Sequence, residues 1–263
     1  MIPKIIHYCW FGSKDVPLIV KESMKSWKKL EDKGYKIIRW DESNCNFHEN
    51  AFTEKMAKEK KWAFLSDYFR LKALYEIGGI YLDTDEYVCK DFDKYLNCDF
   101  LCSYFYDYAL GTEMFGAKKN SELILGLLRL YDNITEPVVN NGLYTEYIRG
   151  GVKGFILTGK KQELTLENGD KFVIYPKNLF HKGKVFGRSV AIHLALSSWQ
   201  NKKSSKMADK LKIMFAKLPF NLFALKNYIV DKKLLKKDGL YQSWYREDIK
   251  KLKQIKTDIK SDK

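Results

Sequence analysis

The sequence predicts an α/β fold, a sandwich with a mainly parallel central sheet. Short apolar β-leaning runs alternate with segments of helical period, which is the order that places helices against a parallel sheet. Glycine and asparagine fall at the breaks between these runs, where turns and helix ends need them. The composition is that of a folded globular chain, with 45% hydrophobic, 15% aromatic and 30% charged residues and only 5 Pro, so intrinsic disorder as the main state is excluded. A length of 263 residues suits one large domain or one domain with an appendage.

Lys4 to Trp10 reads as a buried first strand closed by Phe11-Gly12. Pro17 suits the first turn of a helix in which Val20, Met24 and Trp27 share a face, with Gly34 as its stop. Tyr35 to Trp40 is a second strand. Trp62 to Ile77 has helical period and is apolar almost all round, the mark of a helix buried inside an α/β domain, and Gly78-Gly79 ends it. Ile80-Tyr81-Leu82 and Phe100 to Phe105 are strands, and Ser121 caps a helix running to about Tyr131. Asn168-Gly169, between Thr165 to Glu167 and Lys171 to Tyr175, predicts a tight hairpin. Val190 to His193 is the last strand.

Five cysteines, Cys9, Cys45, Cys89, Cys98 and Cys102, have no CxxC pairing and read as reduced core residues. No run of apolar residues is long enough to span a membrane and the N-terminus lacks a signal-peptide layout, so a cytoplasmic location is expected. There is no GxxxxGK[ST] loop, no GxGxxG after a strand and no GxSxG elbow, which argues against P-loop, kinase, dinucleotide and serine-hydrolase chemistry. Of the net charge of +14, +11 lies in residues 202–263, where 18 Lys or Arg face 7 Asp or Glu.

Asp83-Thr84-Asp85 follows the strand Ile80 to Leu82, at the C-terminal strand end where open α/β sheets place ligands. In extended backbone its two carboxylates share a side, and oxygen ligands so placed suit Mn²⁺ or Mg²⁺, which can bridge to a diphosphate. Asp67 and Arg70 lie three apart on a helix face with Ala63, Leu71 and Leu74, and serve equally as a buried ion pair or as sugar-hydroxyl binders. His193, with Ser197, Ser198 and Trp199 after it, can bring an imidazole and hydroxyls to the same metal, although a lone His after a strand is more often a core residue. Trp10 can stack on a flat base or simply fill the core. His7, His48 and His181 have no informative spacing.

These segments resemble glycosyltransferase family 32, the family with a DXD sugar-binding region, and more distantly the catalytic domains of the large glucosylating toxins. The resemblance runs from Ile2 to Gly12, through Ala63 to Arg70 and Leu74 to Asp85, to Ala191-Ile192-His193 and Ser197-Ser198-Trp199. It implies a GT-A type, Rossmann-like nucleotide-sugar-binding domain over 1–201 and a retaining transferase moving a hexose from a UDP-sugar to a saccharide in cell-surface or capsule polysaccharide biosynthesis. By this likeness Trp10, Ser197, Ser198 and Trp199 meet the nucleotide and its diphosphate. Asp67, Arg70 and Asp83 hold the donor sugar, and Asp85 with His193 binds manganese or magnesium. Asp83 and Asp85 are then the catalytic pair. Where many relatives have Thr-Gly-Pro this chain has Thr158-Gly159-Lys160, which leaves the acceptor side open.

Residues 202–263 form a basic helical C-terminal appendage, in which Met207, Leu211, Met214, Phe215 and Leu218 follow helical spacing. That stripe serves equally to pack on the catalytic domain or to seat the chain at an anionic membrane, an address that fits a lipid-linked acceptor. The appendage has no recognised nucleic-acid-binding motif, so no nucleic-acid partner is expected. The alternative to an enzyme is a non-catalytic basic protein that binds a membrane or nucleic-acid surface through this appendage.

Overall fold

The computed structural model describes residues 1–12, 16–184, 186–187, 189–194, 206–217, 222–236 and 239–261. Its centre is a seven-stranded sheet in the order β2 (Lys36–Trp40), β1 (Ile5–Cys9), β3 (Gly79–Leu82), β6 (Ala109–Ala117), β5 (Phe100–Tyr106), β8 (Lys171–Tyr175), β7 (Gln162–Thr165). The pairs β1/β2, β1/β3 and β5/β8 are parallel, and β6 and β7 run against their neighbours, so five of the seven strands point one way. The mainly parallel α/β sandwich expected from the sequence is therefore present. A separate two-stranded ribbon pairs β4 (Glu86–Val88) with β9 (Ala191–His193), so the last predicted strand is not part of the main sheet.

Helices cover both faces. α3 (Trp62–Glu76) lies against β1, β3 and β6, with α2 (Ala51–Lys58), α4 (Glu122–Leu130) and α5 (Asn140–Gly151) around it. Leu65, Phe69, Leu71 and Leu74 of α3 are fully buried there with Phe52, Tyr81 and Phe115. Each such side chain stabilises the fold by roughly 1.5–3 kcal/mol relative to exposure. On the other face Trp27 and Leu30 of α1 (Leu18–Glu31) pack with Ile6, Ile80, Val88 and Phe92. The short helix α6 (Lys177–Phe180) adds Phe180 to that cluster.

The sequence expectation did not include β4, α5 or α6, and three further departures have a clear physical reason. β6 was not foreseen, because a strand buried at all nine positions shows no alternation and Gly111, Glu113 and Gly116 interrupt its apolar run. The hairpin at Asn168-Gly169 is wider than a two-residue turn. Thr165 pairs with Lys171, Leu166 N donates to Asp170 O, and Asn168 Oδ1 accepts from Asp170 N, leaving only Gly169 with a positive φ. The third is α2, capped by Asn50, whose side chain accepts from Thr53 N at 2.9 Å while Thr53 Oγ1 accepts from Asn50 N.

The basic C-terminal part is helical, with α7 (Lys206–Lys217), α8 (Leu222–Leu234) and α9 (Leu240–Ser261). Each touches the body. Ile213 of α7 packs on Ile19 and Val20 of α1, Asp231 of α8 pairs with Lys177 at 2.9 Å, and Trp244 and Tyr245 of α9 pack on the main core. Asp248 accepts from Leu157 N at 2.9 Å and meets Arg149 at 3.3 Å. Met207, Leu211 and Met214 of the stripe read from sequence remain exposed, and among the described side chains of α7 the buried apolar one is Ile213. Phe215's side chain and Leu218 lie outside the described residues.

Candidate active site

The site forms where β3 ends. Gly78 and Gly79 take φ values of +76° and +126°, and a Cβ on Gly79 would sit 2.5 Å from Ile5 O, so only glycine lets β3 lie this close to β1. Beyond Leu82 the chain turns, with Asp83 N donating to Glu113 O of β6 and Glu86 N to Asp83 O. Asp83-Thr84-Asp85 is thus a turn and not the extended segment expected, yet it still gathers the carboxylates. Oxygen atoms of Asp83 and Asp85 and a ring nitrogen of His193 lie within 4.8 Å of one another.

His193 is delivered by the β4/β9 ribbon, which sets Glu86 opposite it and brings its Nε2 to 3.1 Å from Asp85 Oδ1. Burial works to lower the His193 pKa, but the Asp85 charge and hydrogen bond, with Glu113 and Asp83, raise it to about 9. Two aspartates and an imidazole in this spacing suit Mn²⁺ or Mg²⁺ chemically, since hard oxygens dominate and one borderline nitrogen is tolerated.

Asp67 and Arg70 of α3 lie directly beside the turn. Arg70 Nη2 is 2.9 Å from Asp67 Oδ1 and 3.2 Å from Asp83 Oδ1, Nη1 donates to Thr112 O at 2.6 Å, and the guanidinium lies 4.6 Å over the Tyr81 ring. Asn140 Nδ2 donates to Asp67 Oδ1 at 2.7 Å, and Thr112 Oγ1 in turn donates to Asn140 Oδ1. Burial pushes the Asp67 carboxyl up to about 7, with Asp83 adding to the rise and Arg70 opposing it. Burial also raises Asp83, again against Arg70.

Trp10 follows β1, whose parallel register with β3 pairs His7 with Tyr81. Its side chain is partly buried against Ile19, Val20 and Ile192. Ser197, Ser198 and Trp199 lie outside the described residues.

Sequence reasoning missed Glu86, Glu113 and His181. Glu113 is buried in β6, its Oε1 2.8 Å from His181 Nδ1 and its Oε2 accepting from Thr112 N. Burial pushes Glu113 up, yet His181 beside it holds it down to about 2. Burial lowers His181, and the Glu113 charge opposes that shift. A glutamate inside the apolar run Ala109 to Ala117 was the available signal for this group.

Residues 17–101 match the family described as the glycosyltransferase sugar-binding region containing a DXD motif. The chain is 27% identical over 196 residues to an uncharacterized glycosyltransferase, L373, of Acanthamoeba polyphaga mimivirus, over 69% of this chain and 76% of that protein. Among solved structures it is similar to the PaToxG glycosyltransferase, at 19% identity and a TM-score of 0.45 over 58% of this chain and 70% of that one. A glycosyltransferase involved in glycosylating the major capsid of PBCV-1 is similar at 10% identity and a TM-score of 0.44, over 80% of this chain and 99% of that one.

Proposed function

We propose that this chain, whose residues 17–101 match the glycosyltransferase sugar-binding region containing a DXD motif, is a metal-dependent retaining hexosyltransferase using a UDP-sugar donor and a saccharide acceptor in cell-surface polysaccharide synthesis. The observation that carries the metal-dependent part is the convergence of Asp83, Asp85 and His193 at the C-terminal end of β3. The UDP donor, retention of configuration and the acceptor class rest on the family resemblance.

In this reading Asp83 and Asp85, with His193, hold the divalent cation. Bound there, the ion supplies neutralisation of the charge that grows on the departing diphosphate. Arg70 and Asp67 are fixed side chains that offer guanidinium N–H donors and a carboxylate acceptor to sugar hydroxyls. Their rigidity comes from Thr112, Asn140 and Tyr81, so they meet the donor with little reorganisation. Trp10 takes the base, and Ser197, Ser198 and Trp199 the diphosphate side.

Exposed Met207, Leu211 and Met214 on a lysine-rich helix support seating of the enzyme on an anionic membrane surface, which suits a lipid-linked acceptor. No helix among the described residues is long and apolar enough to cross a membrane.

The test is hydrolysis of a panel of UDP- and GDP-sugars with Mn²⁺, Mg²⁺ or chelator. Chelator-sensitive release of UDP from one sugar is expected, with Asp85→Asn losing at least a hundredfold while its circular dichroism stays native. Near-normal turnover in that variant rejects the metal reading; GDP release in place of UDP rejects the donor base.

A further inference from the structure

Behind the Asp83-Thr84-Asp85 turn lies a second group of ligating side chains. Glu86 is fully buried at the start of β4, and among the described residues neither of its carboxylate oxygens has a hydrogen-bond partner. An unpaired buried carboxylate is costly, and proteins retain such groups where something absent from the protein chain completes them. One oxygen of Glu86 and one ring nitrogen each of His181 and His193 lie within 4.8 Å of one another. The two imidazoles face each other with ring centroids 5.1 Å apart and planes inclined by 33°.

Each ring also has a carboxylate on one nitrogen. Glu113 Oε1 lies 2.8 Å from His181 Nδ1, an ion-pair contact without hydrogen-bond geometry, and Asp85 Oδ1 is hydrogen-bonded to His193 Nε2 at 3.1 Å. His193 Nδ1, the other nitrogen of that ring, is buried without a hydrogen-bond partner among the described residues. A metal-binding histidine ordinarily donates its second N–H to a carboxylate, which fixes the ring and raises its basicity. Charge points the same way. Asp83, Asp85, Glu86 and Glu113 crowd this region, while Arg70 is committed to Asp67 and Asp83, and the Lys182 ammonium lies 4.4 Å over the Phe105 ring.

We propose that Glu86, His181 and His193 form a second, buried metal site for a borderline divalent ion such as Zn²⁺, with Glu113 and Asp85 orienting the two imidazoles. Two nitrogens and one carboxylate oxygen are the donor set such ions take, at about 2.0–2.2 Å, and small side-chain rotations close the observed spacing to that range. His193 binds this ion through Nδ1 and keeps its Nε2–H on Asp85. Where this buried site is filled, His193 gives up the direct ligand role it has in the donor-cation reading above, and that cation is held by Asp83 and Asp85 with His193 bearing on it through Asp85. The buried ion is structural in kind: it ties the ribbon that carries His193 to the segment after α6 that carries His181.

The experiment measures bound metal in the full chain, purified without chelator and dialysed, by elemental analysis, with Co²⁺ loading followed by visible absorption. Close to one transition-metal ion per chain is expected in the wild type and in Asp85→Asn, and less than a tenth of that in Glu86→Gln. A cobalt spectrum of a nitrogen-rich, low-coordinate site should appear in both the wild type and Asp85→Asn. A wild-type chain that binds neither Zn²⁺ nor Co²⁺ at micromolar concentration overturns the proposal, as does loss of all bound metal in Asp85→Asn. The decisive comparison does not require Glu86→Gln to fold, because it uses only the wild type and Asp85→Asn. It is also separate from donor turnover: Mn²⁺-dependent hydrolysis without a buried ion would leave the proposed activity standing and remove this site alone.

Discussion

The Nη2 atom of Arg70 lies 3.2 Å from Oδ1 of Asp83, and the same nitrogen is 2.9 Å from Asp67. One buried cation therefore holds two carboxylates on different elements, a helix and the turn after a strand. Removing it leaves the buried Asp67 without its cation and the partly exposed Asp83 without its partner. Arg70→Met is expected to cost about 3–5 kcal/mol in urea unfolding, the range for a broken buried pair, and to abolish donor turnover. Arg70→Lys keeps the charge without the fork and should fall between the two.

Gly79→Ala tests the closeness of β3 to β1. With φ at +126° and a Cβ placed 2.5 Å from a backbone oxygen, neither strand can yield without moving the other. A loss of about 2–4 kcal/mol is expected from strain and overpacking together, read as a lower urea midpoint. An unchanged midpoint would mean that the strand junction relaxes freely.

Asp248→Ala tests whether α9 belongs to the body. It removes the acceptor for Leu157 N, leaving that donor unsatisfied, and one of the two carboxylates on Arg149, which keeps Glu247 at 3.4 Å. A destabilisation of about 2 kcal/mol is expected, together with faster proteolytic cutting between α8 and α9.

His7 gives a pH prediction. Trp40 Nε1 can only donate, so His7 Nδ1 accepts from it at 3.0 Å and Nε2–H donates to Gly78 O at 2.8 Å, which fixes the neutral ring. Burial lowers its pKa from 6.5 to about 4, against the Gly78 bond. The unfolded chain then binds a proton that the folded chain refuses. Stability falls as pH drops from about 6.5 to about 4 and this contribution is flat outside that window, amounting to about 3 kcal/mol. His7→Gln should shrink the stability difference between pH 7 and pH 4 by that amount; an equal difference in both proteins would reject the assignment.

What the sequence made legible follows from how each segment is buried. α3, the glycine pair and β3 were readable because helical period, a φ-positive stop and an apolar run occur in immediate succession. Asp83, Asp85 and His193 were found as separate features, and only the long-range ribbon between β4 and β9 joins them. β6 hid because burial on both faces erases periodicity. Glu86 hid beside a more conspicuous neighbour, and His181 follows a helix of four residues whose sequence says nothing of the glutamate it meets. The appendage was legible as helical and basic, but not in its choice of Ile213 over the Met207, Leu211 and Met214 stripe as the packing residue, because α1 decides which face it meets.

The partnership of Asp85 with His193 spans 108 positions of the chain. At a synthesis rate of about 5–20 residues per second, the acidic turn emerges roughly 5 to 20 seconds before the imidazole that completes it. Throughout that interval the growing polypeptide holds an incomplete acidic centre. A release factor, a nonsense codon or a protease acting between residues 86 and 192 therefore yields a product that can retain the Asp83-Thr84-Asp85 turn yet lacks the His193 imidazole altogether. The Asp85–His193 hydrogen bond is in this sense a sign that translation has passed residue 193.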